Sequence, residues 1–327
     1  MRSKLKQLLK KLPIRRRRRL KKRPTLDVNP CNPVAIEGPH FPVKPVGLLL
    51  PLSLSLCMLG VFDTAGQSFR KRLELLKPID HEEGVQMLST FRQMWVVGDF
   101  SLKYSIQFIP RRGKRQEVLG TLWGSSSQEG PISLIHLHTE LEERQFFLKN
   151  GPYASVMKRQ TQSGEWTKIQ ALDWFQPIDE TVTINPFDLM MPFVFWPDWE
   201  YIGVTKKGSR VAHAFLMKAP SQLTGNPLGL FGVIVYLDEN FNALLRADYV
   251  NAEEDVIRSL RLLDLKKLDG VWLPKTVDVL DEITRNKTRL VIKEAAVNRN
   301  FSDNPLSRGL IPQSVPEIPI YDYKLVR

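Results

Sequence analysis

The sequence predicts a mainly β protein built on one strongly curved antiparallel sheet of about ten to eleven strands in meander order. Three observations carry that expectation. Segments with a period of two, apolar residues alternating with polar ones, recur between residues 100 and 295. Gly, Pro and charged turns separate them. One long interruption, residues 172–201, is the only stretch of this region that departs from the strand grammar.

The elements follow in order. Asp80 precedes His81-Glu82-Glu83, an N-cap followed by acidic side chains that complement a helix dipole. Val85, Leu88 and Phe91 continue at helical spacing up to Trp95. Phe100, Leu102, Tyr104, Ile106 and Phe108 then alternate with Ser101, Lys103, Ser105 and Gln107, a half-buried strand. Residues 110–114 make a turn, and 118–123 return as a second strand. Residues 132–139, 143–149, 154–161 and 166–170 are further short strands. After the interruption, strands are expected at 211–217, 230–236 and 241–249. Residues 256–265 and 271–280 flank the Asp269-Gly270 hairpin signal, and 289–295 close the pattern.

The interruption reads LDWFQPIDETVTINPFDLMMPFVFWPDWEY. Asn185-Pro186 is a helix start, with Pro at a first-turn position. Phe187, Leu189, Met190, Met191, Phe193, Val194, Phe195, Trp196 and Trp199 crowd into 13 residues, more apolar surface than one face of a short surface helix needs. Two readings stay open. The segment is a plug that belongs to the core, or it is a lid over an apolar cavity whose pliable Met side chains adapt to different ligands. Both place it across the concave face of the sheet.

The net charge of +12 is a property of the first 45 residues. They hold 14 of the 47 basic residues, including Arg15 to Arg19, and only Asp27 and Glu37 of the 35 acidic ones. That leaves 33 of each sign in residues 46–327, so a basic nucleic-acid surface on the fold is excluded. Residues 47–62 then run 16 long without a charge, short of the about 20 apolar residues of a spanning helix. With Lys44 before them and Thr64-Ala65-Gly66 after them, they read as a signal-peptide core with cleavage between Gly66 and Gln67. The alternative is an uncleaved anchor at 47–62. Initiation at Val43 would give a compact n-region directly before this core. The expected organisation is a basic, Pro-rich leader at 1–45, the signal core and cleavage region at 46–66, and a single domain at 67–327.

Catalytic signatures are scarce. Both cysteines, Cys31 and Cys57, precede the domain, which excludes a disulfide framework or a cysteine nucleophile within it. No Gly-x-Ser-x-Gly elbow, P-loop or Gly-x-Gly-x-x-Gly is present. His136 and His138 share a strand face, beside Glu140, Glu142 and Glu143, but a charged strand end explains them better than a metal. Asp278, Asp281 and Glu282, balanced by Lys275, Arg285 and Lys287, read as a solvated hairpin end. No enzyme, metal or cofactor is expected.

Leu244-Leu245-Arg246-Ala247-Asp248-Tyr249, then Leu268-Asp269-Gly270-Val271-Trp272-Leu273-Pro274-Lys275, then Asn286-Lys287-Thr288-Arg289-Leu290 resemble the outer-membrane lipoprotein-sorting (LolA-like) family. Leu119-Gly120-Thr121-Leu122-Trp123-Gly124 is similar to an early hairpin of its larger members. The main motif is Asp269, Gly270, Trp272 and Pro274, a structural signature in a strand–turn–strand. The resemblance covers residues 80–312 and implies an incomplete β-barrel of about eleven strands closed by helices. It also implies an apolar cavity for lipid or lipoprotein acyl chains, a periplasmic location, and sorting components of the inner and outer membranes as partners. On that reading Phe187, Leu189, Met190, Met191, Phe193, Phe195, Trp196 and Trp199 are the lipid-binding lid of a monomer.

Overall fold

The computed structural model describes residues 78–327 apart from 95, 97, 128, 140–142 and 161–163. The leader, the signal core at 47–62 and the Gly66–Gln67 junction lie outside the described residues.

Helix α1 (His81–Gln93) starts where the sequence places it, and the reason is a capping box. Asp80 accepts a hydrogen bond from the Glu83 amide (2.9 Å), and the Glu83 carboxylate accepts one from the Asp80 amide (3.1 Å). A first meander follows: β1 (Asp99–Ile109), β2 (Gln116–Ser127), β3 (Gly130–His138), β4 (Glu143–Lys149), β5 (Ser155–Arg159) and β6 (Thr167–Ile169). A second runs through β7 (Trp199–Lys207), β8 (Arg210–Lys218), β9 (Gly232–Asp238), β10 (Leu244–Val250), β11 (Val256–Leu268), β12 (Val271–Asp281) and β13 (Lys287–Arg299). Short β14 (Lys324–Leu325) pairs with β13.

The two meanders are joined in the middle. β1 pairs with β13, so the spatial order is β6-β5-β4-β3-β2-β1-β13-β12-β11-β10-β9-β8-β7, antiparallel throughout. The outer edges β6 and β7 do not pair, and the sheet is an open, not a closed, barrel. It has 14 strands rather than the expected ten to eleven. Twelve of them coincide with the segments placed on the sequence, slightly above the expected count, and the two that the alternation misses are β7 and β14. β7 is an edge strand whose residues are all half-buried or exposed, so it has no clean in–out pattern, and β14 is only two residues long.

Packing on the concave side forms the main core, from Leu102, Tyr104 and Ile106 of β1 round to Phe215 and Met217 of β8. The glycines of the 119–124 motif serve this face. Tyr104 stands opposite Gly120 and Phe100 opposite Gly124, and their rings occupy the space a Cβ would need. A smaller core lies on the convex side of the first meander, where Phe301 and Leu306 cover Trp123, Ile132, Leu134 and Phe147. Among the described residues no helix is long and apolar enough to cross a membrane.

Candidate functional site

The connection from β6 to β7 crosses the concave side from one outer edge of the sheet to the other. It begins with a 3-10 turn (Ala171–Phe175), then folds back on itself where the Ile178 amide donates to the Ile184 carbonyl (3.0 Å). Helix α2 (Pro186–Met190) follows, started by Asn185 as N-cap and Pro186 in its first turn. Met191 adopts a left-handed conformation (φ 50°) and stops the helix after five residues. A second 3-10 turn (Pro192–Phe195) leads to the β7 edge.

This segment fills the concavity. Phe187 and Phe193 are fully buried, Val194, Met190 and Trp196 nearly so, and Leu189, Met191 and Phe195 are half-buried against the same core. Phe187 is the hub of an aromatic cluster. It stacks on Phe175 at 4.7 Å, meets Tyr249 of β10 edge-on at 5.5 Å, and lies 6.0 Å from both Phe193 and Trp196. Trp199 stands apart from it, as the first residue of β7, stacked on His81 of α1 (5.1 Å).

Few polar contacts hold the plug, and they converge on one carboxylate. Asp188 closes a capping box with Asn185 and accepts hydrogen bonds from Arg258 Nε (3.0 Å), Arg258 Nη2 (2.5 Å) and the Tyr249 hydroxyl (3.1 Å). Arg258 also donates to the Thr183 carbonyl (2.8 Å), and the Thr183 and Thr288 hydroxyls lie 2.6 Å apart. Burial is the largest single influence on Arg258 and would lower its pKa, but the charge and hydrogen bonds of Asp188, with smaller contributions from Tyr249 and Asp281, together outweigh it and raise the pKa. Burial, then the Asp188 charge, pushes the Tyr249 phenol well above its ordinary value. At the far end, Arg92 of α1 donates to the carbonyls of Val194 (2.7 Å) and Trp196 (3.1 Å), and Asn150 donates to that of Met190 (2.5 Å). On the sheet itself the buried Tyr104 hydroxyl has no hydrogen-bond partner among the described residues.

Asp188, Arg258, Tyr249 and Arg92 are the residues that sequence reasoning missed. Two of them carried a signal. Asp188 is the sole charge between Ile184 and Pro197, and an acid in so apolar a run needs a partner. Arg258 occupies the same strand phase as buried Leu260, so it faces inward where an apolar residue is expected.

The motif residues of the resemblance sit elsewhere. Asp269 (φ 48°) and Gly270 (φ 87°) form the tight β11–β12 turn, Pro274 lies on β12 opposite Leu265, and Trp272 is 60 % exposed beside fully buried Leu273. The His136 and His138 rings lie 4.6 Å apart, with Thr121 at 3.1 Å from His138 Nε2. Among the described residues no three His, Cys, Asp or Glu side chains gather as a metal site would require. The expected solvated acidic turn is partly wrong. Asp278 is buried, because Arg289 of the neighbouring strand grips it with two hydrogen bonds (2.6 and 2.8 Å).

Fold and plug together define a class: an open antiparallel sheet wrapped around a helical connector, which is a LolA-like fold. No family model matches the chain, and no curated protein matches it by sequence. Among solved structures, a DUF1329 family protein of Desulfovibrio piger matches with a TM-score of 0.58 at 14 % identity, over 69 % of this chain and 96 % of the other. A domain assigned to outer membrane lipoprotein sorting, from Vibrio parahaemolyticus, matches with a TM-score of 0.58 at 12 % identity, over 69 % and 95 %. A LolA superfamily protein of Nitrosomonas europaea matches with a TM-score of 0.51 at 9 % identity, over 67 % and 94 %. At these identities the likeness is one of fold.

Proposed function

We propose that the protein is a non-catalytic, exported carrier that shelters the acyl chains of a lipid or lipoprotein against the concave face of its sheet, with residues 171–196 as a displaceable lid. The observation that carries this reading is the edge-to-edge connector. One continuous segment supplies the apolar filling of the concavity, and it forms no strand of the sheet. Its departure would leave the β ladder intact. Burial of an acyl chain contributes about 0.8 kcal/mol per CH₂. A lid that gives up comparable contacts of its own cancels much of this, which keeps uptake reversible. Phe187, Met190, Phe193 and Trp196 make most of the exchanged contacts, and Met190 and Met191 supply pliable surface for chains of different length.

Uptake of a pyrene-labelled acyl lipid by the purified protein tests the proposal. Wild type is expected to take up the probe, and Met190→Asp with Phe193→Asp is expected to abolish uptake while the far-UV circular dichroism of the sheet persists. Unchanged uptake in the double variant would refute the lid. Export with cleavage before Gln67 into the periplasm, and delivery between inner- and outer-membrane sorting components, belong to the same proposal. N-terminal sequencing of the protein from the cell envelope tests the first of these.

A second reading is a non-catalytic envelope protein whose core is permanently filled. It is favoured by the dense packing of Phe187 and Phe193, both fully buried. Native mass spectrometry separates the two readings. Co-purified lipid supports the carrier, and a lipid-free protein that takes up no probe supports the filled core.

A further inference from the structure

We infer that the β1–β2 and β12–β13 loops together form a docking tip for an anionic phospholipid surface. The register makes them neighbours: Ile109 pairs with Lys287, and the Arg111 amide donates to the Asn286 side chain (3.0 Å). A cleft of about 400 Å³ opens between them, with Arg111, Arg261, Arg285 and Lys287 in its lining beside Asp278 and apolar residues such as Leu280.

Charge accounting singles out this end of the sheet. Residues 110–115 read PRRGKR, four cations and no acid, on a chain whose residues 46–327 hold equal numbers of each sign. The carboxylates beside the β12–β13 turn are already engaged, while Glu117 of β2 accepts from the Gln107 side chain (3.3 Å). Asp278 is held by Arg289 and Lys287, and Glu282 by Arg285, Arg261 and Arg246. The Asp281 carboxylate accepts from the amides of Ile283 (2.9 Å) and Thr284 (2.7 Å). Among the described residues, Arg111, Arg112, Lys114 and Arg115 form no ion pair, and all four are exposed. Four unpaired cations thus face one neighbouring acid outside these pairs, Glu117, which leaves the tip strongly positive. Beside them Ile283 is 77 % exposed at the apex of the β12–β13 turn. Clustered cations around one projecting apolar side chain suit a surface of anionic headgroups over an apolar interior, where each Lys or Arg contributes about 1 kcal/mol. An acidic protein partner would not need Ile283. The tip also adjoins the plug, because Thr288, which contacts Thr183, directly follows Lys287. Docking at this tip does not depend on whether the concave face takes up acyl chains.

Hydrogen exchange of the full chain, read peptide by peptide, tests it without confusion from the basic leader. Vesicles of phosphatidylglycerol should protect peptides covering 110–116 and 281–287, and phosphatidylcholine vesicles should not. Protection should fall with salt, since the screening length shrinks to about 10 Å at 0.1 M. In the variant Arg111→Gln, Arg112→Gln, Lys114→Gln, Arg115→Gln, the vesicle concentration for half-maximal protection should rise by about tenfold or more. Circular dichroism should stay unchanged, because the Arg111 backbone bond to Asn286 is retained. Absence of protection at the two loops, equal protection by neutral vesicles, an unaffected variant, or protection by inorganic phosphate or a soluble polyglutamate in place of vesicles would each overturn the inference. The pyrene uptake assay, run on the same variant, reads the carrier proposal separately.

Discussion

Strands β10 to β13 have two faces of opposite character, and the contrast shows how the molecule is divided. Inward, Ala247, Tyr249, Leu260 and Val279 meet the plug with apolar surface, and Arg258 supplies one buried ion pair to Asp188. Outward, the alternate residues form a belt of ion pairs: Arg246 with Asp248 along β10, Arg289 of β13 with Asp278 of β12, and Arg261 of β11 with Glu282 in the β12–β13 turn. The outer belt acts within the sheet. The inner face ties sheet to connector. Removal of the connector therefore takes none of the cross-strand ladder with it, and two separate stabilities are expected, one for plug docking and one for the sheet.

The largest expected effect tests that separation. Phe187→Ala deletes a fully buried ring that touches four other aromatic rings, and large-to-small changes of this kind cost about 3–5 kcal/mol. The loss should appear as faster hydrogen exchange and proteolysis within residues 171–196. The urea midpoint of the β signal should move much less. Equal losses in both would mean that plug and sheet open as one unit, and the comparison would fail.

Next is the single charge pair of the inner face. Arg258→Ala leaves the Asp188 carboxylate buried with only Tyr249 and the Asn185 amide, a change that costs about 3–4 kcal/mol. Replacing both, as Asp188→Leu with Arg258→Met, should restore most of that, less about 1 kcal/mol for the lost capping box. A double-mutant cycle on plug opening measures the coupling. A cycle that shows no coupling would place the plug's hold in its aromatic contacts alone.

A smaller effect follows from pH. His213 of β8 is buried, with the Tyr201 hydroxyl 3.0 Å from Nδ1 and Glu83 and Glu239 nearby. Burial lowers its pKa below the ordinary 6.5 despite the two glutamates. The unfolded chain then binds more protons than the native one once pH falls through about 6.5, so stability should decline on acidification. His136 is shifted in the same direction, by burial first and the His138 charge second, and adds to the slope. Urea midpoints at pH 7.5 and 5.5 should differ less in His213→Gln than in wild type. An unchanged slope would assign the acid sensitivity to other groups.

Strand phase explains what the sequence made legible and what it hid. The period-two segments located most of the sheet because their inward side chains are buried: Leu102, Tyr104 and Ile106 of β1 are all core residues. Asn185-Pro186 announced α2 because its capping chemistry is local. β7 stays hidden because an edge strand with no fully buried residue shows no clean alternation, and the same pattern merges Trp199 with the plug. The pairing of β1 with β13 joins residues nearly 200 apart in the chain, a distance at which no local pattern reports. The Asp188–Arg258 pair was hidden likewise, with each residue odd in its own context and the partner identifiable only once the plug crosses the sheet.

The smallest expected effect lies in the motif that carried the family resemblance. Trp272 is 60 % exposed on β12, and its nearest cation, Lys267 Nζ, sits 5.9 Å from the ring centre, at the limit of a useful cation–π contact. Trp272→Ala should therefore change the sheet's unfolding free energy, read from urea titration, by no more than about 0.5 kcal/mol and leave plug opening untouched. Gly270→Ala should cost about 1 kcal/mol, since the turn holds Gly270 at φ 87° where a Cβ is strained. The local chemistry of the motif thus rests in the turn, not in the indole. A normal midpoint together with impaired pyrene-lipid uptake in Trp272→Ala would assign the exposed indole to a contact outside the folded chain, and would shift the weight of the motif from structure to recognition.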